Sequence, residues 1–157
     1  MVISARGGGG QVRPDGGGQA LMLKIGARAL IRKVFTEKEV IQFAELSLDR
    51  NPLHLDKEVG KASIFGQRVV HGMLVASLFS GLIGMELPGK GSIYLGQTLT
   101  FKAPVFIGEA VTATVEIIKI RKDKPIVTLS TVCEKDSGQV VITGEAVVKV
   151  PEMIPVS

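Results

Sequence analysis

Apolar and polar positions follow different rhythms in different parts of this chain. Residues 1–20 have no rhythm at all. Gly7 to Gly10 and Gly16 to Gly18 frame a polar stretch with nothing to bury, so this segment is expected to be a disordered leader or tag. Residues 21–157 are then expected to form a single domain. Ala29-Leu30-Ile31-Arg32-Lys33-Val34 reads as a short strand. Thr36 and Glu39 fit a capping box, and Val40, Ile41, Phe43, Ala44 and Leu46 follow at helical spacing, which predicts an amphipathic helix over 37–48. Asn51-Pro52 is expected to end that helix, because a proline disfavours helical geometry in the residue before it. Asp56 is placed to cap one further turn, through Lys61.

From Gly72 to Met85 the chain is apolar almost all round, which predicts a helix buried in the centre of the domain, stopped by Pro88-Gly89-Lys90-Gly91. Beyond it the period changes to two. Ile93 to Phe101, Ala110 to Ile120, Ile126 to Cys133 and Val140 to Val150 are rich in Val, Ile and Thr, and the polar turns at 121–124 and 136–138 join the last three as hairpins. One strand, some helices, a buried helix and an antiparallel meander make an α+β domain. The economical arrangement is a sheet wrapped around the central helix, since both need an apolar surface to cover.

Composition narrows the function. The chain is 45% apolar, has no Trp, and carries a net charge of +4 without a dense basic block or stacking aromatics, so nucleic acid is not an expected partner. A mild basic excess suits an anionic small molecule. The most apolar run, Val69 to Leu87, is broken by His71, serines and Glu86 and falls short of the roughly 20 residues of a membrane span. Cys133 is the only cysteine, which rules out an internal disulfide and fits a reducing, cytoplasmic setting. With two histidines beside it, a structural zinc site is not expected.

Both histidines fall between residues 49 and 72, in Asp49-Arg50-Asn51-Pro52-Leu53-His54-Leu55-Asp56 and in Val70-His71-Gly72-Met73. Imidazole titrates near neutrality and is suited to proton transfer. A bent loop can bring Asp49 and His54 toward one water, which together they would hold and deprotonate. The competing reading makes Asp49 a helix-end residue and leaves Asn51 and His54 to knit the loop. Gly72, at the start of the apolar helix, offers a free amide where negative charge is favoured and so could serve an oxyanion; equally it could be a packing glycine, with His71 a hydrogen-bonded wall. Ser77 and Ser80 lie on the same helix, where serines most often bond back one turn.

The ordered series Asp49-x-Asn51-Pro52-x-His54-x-Asp56, Phe65-Gly66, Val70-His71-Gly72-Met73, Ser80-Gly81, Tyr94-Leu95-Gly96-Gln97, Phe101-Lys102-x-Pro104 and Thr143-Gly144-Glu145 resembles the hydratase 2 signature of MaoC-like hot-dog proteins. In particular it is similar to the (R)-specific enoyl-CoA hydratases that supply polyhydroxyalkanoate monomers. The resemblance spans about residues 23–151. It implies a hot-dog fold, a homodimer joined at sheet edges, and reversible hydration of trans-2-enoyl-CoA without a metal or redox cofactor. Carried over by position, Asp49 and His54 would be the catalytic pair and the Gly72 amide the oxyanion donor. Asn51, His71, Ser80, Leu82 and Ile83 would contact substrate. Dehydration of acyl-carrier-protein thioesters, and non-catalytic acyl-CoA binding, are the competing functions.

Overall fold

The computed structural model describes residues 23–151; the Gly-rich leader expected at 1–20 lies outside them. The first strand, β1 (Arg28–Val34), runs into α1 (Glu37–Ser47). Thr36 caps α1 as its sequence implied: its hydroxyl accepts from the Glu39 amide at 3.2 Å. The helix stops earlier than expected, and not at the proline. Leu48 takes a left-handed backbone (φ 65°), and Pro52 instead opens a new short helix, α2 (Pro52–Leu55). The reason is local. Asn51 Oδ1 accepts from the Leu53 amide, and proline at the first helical position gives up an N–H that would have no partner there anyway. Asp56 caps α3 (Lys57–Ala62) by accepting from the Glu58 and Val59 amides, as its position predicted.

The apolar run forms α4 (Gly72–Met85), and the period-two segments form β2 (Ile93–Gln97), β3 (Thr100–Phe101), β4 (Ala110–Ile120), β5 (Ile126–Lys135) and β6 (Val140–Lys149). They make one antiparallel sheet in the order β1-β4-β5-β6-β2, with β3 pairing to β6. The expected single strand over 93–101 is split. Thr98 exchanges hydrogen bonds with Glu145, through its amide and its hydroxyl, and its carbonyl crosses directly over Gly144, where a side chain would collide with it. The ladder is interrupted at that point, and β3 resumes further along the same edge of β6, opposite Thr143 and Ile142.

The sheet curls around α4. Val75, Phe79, Leu82 and Ile83 from the helix meet Val111, Val115, Ile117, Leu129 and Cys133 from β4 and β5, all of them buried. Each large side chain fully buried here contributes about 1.5–3 kcal/mol of transfer free energy. One expectation fails: α4 is not covered all round. Met73, Ser77, Ser80, Gly81 and Met85 form an exposed stripe on the face turned away from the sheet, because a single sheet covers one side of a helix. This α+β arrangement is the hot-dog fold implied by the resemblance.

Candidate active site

The loop between α1 and α2 is built by side chains answering the backbone. Ser47 donates to the Phe43 carbonyl and accepts from the Asp49 amide, and Asp49 Oδ1 accepts from the Asn51 amide. The left-handed Leu48 turns the chain so that the Asp49 carboxylate faces the first turn of α2. There its Oδ2 stands 3.8 Å from His54 Nε2. This is too long for a direct hydrogen bond and suits two acceptors addressing one water between them. Asp49 is half exposed, whereas His54 is buried.

The histidine's tautomer is fixed by the main chain. His54 Nδ1 lies 2.7 Å from the Val69 carbonyl, which can only accept, so Nδ1 carries the proton and Nε2 presents a lone pair toward Asp49 when the ring is neutral. His71, 1% exposed, plays a matching part. Its Nε2–H donates to the Asp49 backbone carbonyl at 2.9 Å, and its ring stacks on His54 with centroids 3.8 Å apart. The Phe43 ring also packs against it, tilted by 65° with centroids 4.9 Å apart. Burial, first of all, pushes the His71 pKa below the usual histidine value, and the neighbouring His54 adds to the effect. A neutral His71 leaves Nδ1 buried with no partner.

Asp49, His54 and His71 hold possible ligand atoms within 4.8 Å of one another. The geometry does not suit one ion. Two of the four ring nitrogens are committed to carbonyls, and the ring planes lie 25° from parallel while stacked, so in-plane lone pairs from both rings do not converge within the roughly 2.0–2.1 Å reach of a metal bond.

The pair opens onto a cavity of about 440 Å³, bordered also by Phe65, Met73, Phe101 and Pro104, with Lys102 at its rim. Gly72 lies in its wall. It is the first residue of α4, and its N-cap, His71, supplies no side-chain cap, so the opening amides stay available. The ring of Phe101 packs so closely that a Cβ on Gly72 would lie 2.6 Å from it. A glycine is therefore required by the close approach.

The structure thus brings together Asp49, His54, His71 and Gly72. It does not bring the other predicted contacts to this cavity. Asn51 is spent on capping α2, Ser80 sits on the exposed stripe of α4, and Leu82 and Ile83 point into the core against the sheet. Reasoning from residue types missed the Val69 carbonyl and the aromatic wall of Phe65 and Phe101. The signal for the two aromatics was present in Phe65-Gly66 and Phe101-Lys102-x-Pro104, while a backbone acceptor leaves no mark in a sequence.

Fold and site together define a small hot-dog domain with an acid–base pair facing a helix N-terminus. The MaoC like domain family matches residues 25–137, and the chain belongs to that family. It is 55% identical to the (R)-specific enoyl-CoA hydratase of Aeromonas caviae, over 84% of this chain and 98% of that protein. A mitochondrial 3-hydroxyacyl-[acyl-carrier-protein] dehydratase of Solanum lycopersicum is 43% identical over 85% of this chain and 81% of its own length. Among solved structures, the (R)-hydratase from A. caviae involved in PHA biosynthesis superposes with a TM-score of 0.81 at 56% identity, covering 82% of this chain and 98% of that one.

Proposed function

We propose that this protein hydrates trans-2-enoyl-CoA to (R)-3-hydroxyacyl-CoA, in the direction that supplies polyhydroxyalkanoate monomers from fatty-acid oxidation intermediates. The single observation that carries the reading is the 3.8 Å gap between Asp49 Oδ2 and His54 Nε2, opening on a cavity that Gly72 also lines. The choice of a CoA thioester and of the (R) product rests on the A. caviae relative.

Water held between the two acceptors gives a proton to His54 Nε2 as its oxygen attacks C3. The C2=C3 electrons move to the thioester carbonyl, and the resulting enolate oxygen takes a hydrogen bond from the Gly72 N–H, reinforced by the helix dipole. The proton taken up by His54 is then delivered to C2, which returns the imidazole to its neutral form and completes the addition of one water, so no atom is left over and no redox partner enters. Protein groups carry every step, and no metal or cofactor is required. The reverse reaction, dehydration of a carrier-protein thioester, uses the same groups and is favoured by the S. lycopersicum relative.

The working form is a homodimer in this reading. Beyond the exposed Met73 and Met85 of α4, the edge strand β2 presents Ile93, Tyr94 and Leu95 to solvent, an apolar margin suited to a second copy. Among the described residues no helix is long and apolar enough to cross a membrane. We place the reaction in the cytoplasm, where an unpaired thiol such as Cys133 stays reduced.

The test is hydration of crotonyl-CoA by the purified chain, followed as loss of enoyl-thioester absorbance, with chiral analysis of the 3-hydroxybutyryl product. An (R) product supports the reading. No turnover of any crotonyl thioester, or an (S) product, removes it.

A further inference from the structure

A second cavity, of about 450 Å³, lies on the reverse side of the segment that lines the first. Phe65, Val69 and Val70 face the catalytic cavity, while Gly66, Gln67 and Arg68, between them in sequence, line the other. Its wall is basic. Lys57 and Lys61 stand one turn apart on α3, and neither has a carboxylate partner among the described residues. Arg68, whose side chain is 12% exposed, is locked by Nη1 donating to Glu37 at 3.0 Å and to the Leu55 carbonyl at 3.4 Å.

Two details make this a shaped cluster and not scattered surface charge. A Cβ on Gly60 would lie 2.5 Å from the Arg68 amide nitrogen, so α3 is seated directly on residue 68, and Lys57 and Lys61 line the same cavity as Arg68. Leu55, whose carbonyl the guanidinium touches, is the residue after His54, so the cluster sits immediately behind the catalytic loop. Three cations face one engaged carboxylate. The α3 N-terminus adds nothing to the case, because Asp56 already occupies its amides.

We propose that this cavity is a phosphate subsite that takes the nucleotide end of the thioester substrate, its pyrophosphate or 3′-phosphate, on Lys57, Lys61 and Arg68. The inference rests on the reading of the substrate as a CoA thioester. Such a molecule is anionic only at the far end of its pantetheine arm, and the cluster lines a concave site formed in part by residues 66–68, whose sequence neighbours Phe65 and Val69 border the catalytic cavity. A cavity of this size falls in the range of small-molecule pockets, which favours a nucleotide over an acidic carrier protein as its occupant.

The experiment compares crotonyl-CoA, crotonyl-dephospho-CoA, which lacks the 3′-phosphate, and crotonyl-pantetheine, which has no phosphate, with the full chain and with the double variant Lys57→Glu/Lys61→Glu. The double variant is expected to raise KM for crotonyl-CoA about tenfold, equivalent to roughly 1.4 kcal/mol of binding. Adenosine 3′,5′-bisphosphate should inhibit the wild-type chain competitively and the variant more weakly by a similar factor. KM for crotonyl-pantetheine should be the same in both. Dephospho-CoA then separates the two phosphate sources, since a loss confined to the full cofactor assigns the 3′-phosphate. Lys57→Gln/Lys61→Gln should move KM in the same direction by less, which covers a charge-reversed variant that fails to fold. Lys122→Glu, in the β4–β5 turn, controls for net charge and should leave KM where it was.

An unchanged KM for crotonyl-CoA overturns the proposal. So does an equal rise for crotonyl-pantetheine, or a KM that responds only to Lys102→Glu at the catalytic rim. A larger loss on the carrier-protein thioester than on crotonyl-CoA reassigns the patch to a protein partner. The parent reading fails differently: the wild-type chain would then turn over none of the three thioesters.

Discussion

The segment from Ser47 to His71 and the meander from Ala110 to Lys149 are held together by different physics. The meander is specified by burial repeated at every second residue; Val111, Ala113, Val115 and Ile117 on one strand are each 0% exposed. Its hydrogen bonds are the ladder bonds that any sequence of the right alternation would make. The loop buries little and is specified by single hydrogen bonds, each from one named group to one backbone atom: Ser47 to Phe43, Asn51 to Leu53, His54 to Val69, His71 to Asp49. Stability is spread over many positions in the sheet. Chemical geometry is concentrated in a few atoms of the loop. Substitutions in the two regions should therefore separate rate from stability.

The strongest test removes a member of the pair. Asp49→Asn and His54→Ala should each lower kcat by roughly 10²–10⁴-fold, the usual contribution of a positioned acid–base group, with little change in melting temperature. Matching losses of rate and of melting temperature would make the loop structural and break the contrast. Gly72→Ala comes next. The added methyl meets the Phe101 ring, so the ring or the start of α4 must shift, and kcat should fall by up to about 10²-fold, within the range for a disturbed oxyanion donor. Adding Phe101→Leu should recover part of that loss, because it removes the obstructing ring and leaves the amide in place.

The reciprocal case is Leu129→Ala, fully buried in β5. It should cost about 2–5 kcal/mol in a denaturant titration while the folded fraction keeps its kcat. The smallest effect concerns His71. Its folded pKa is depressed, so below the ordinary histidine value of about 6.5 the unfolded chain takes up a proton that the folded chain refuses, and stability falls as pH drops through that range. His71→Gln should flatten this slope relative to the wild-type chain while changing little above pH 7. Parallel slopes would mean that His71 is not held neutral.

The strands and the two hairpin pairings β4–β5 and β5–β6 were legible because alternation is a property of side chains and a short polar turn joins neighbours, whereas the docking of β1 on β4 and of β2 on β6 is a long-range choice that no local pattern records. The loop was legible in its reacting groups for another reason: a histidine and a carboxylate five residues apart across a proline narrow the geometry. What escaped was decided by covering surfaces and by backbone. The outer stripe of α4, with methionines at both ends and small residues between, carries no charge to mark it as exposed, and Ser80 on that stripe could not be told from a serine turned inward. Likewise, Pro52 reads equally well as the end of one helix or the start of the next; only the left-handed Leu48 decides it.

Because the acceptor that sets the His54 tautomer is the peptide oxygen of Val69, no side-chain replacement at position 69 can delete it. Scanning mutagenesis would mark that residue as tolerant so long as the backbone there keeps its course. An ester in place of the amide between residues 69 and 70 weakens the same oxygen as an acceptor, and semisynthesis would uncover a dependence that genetics alone passes over.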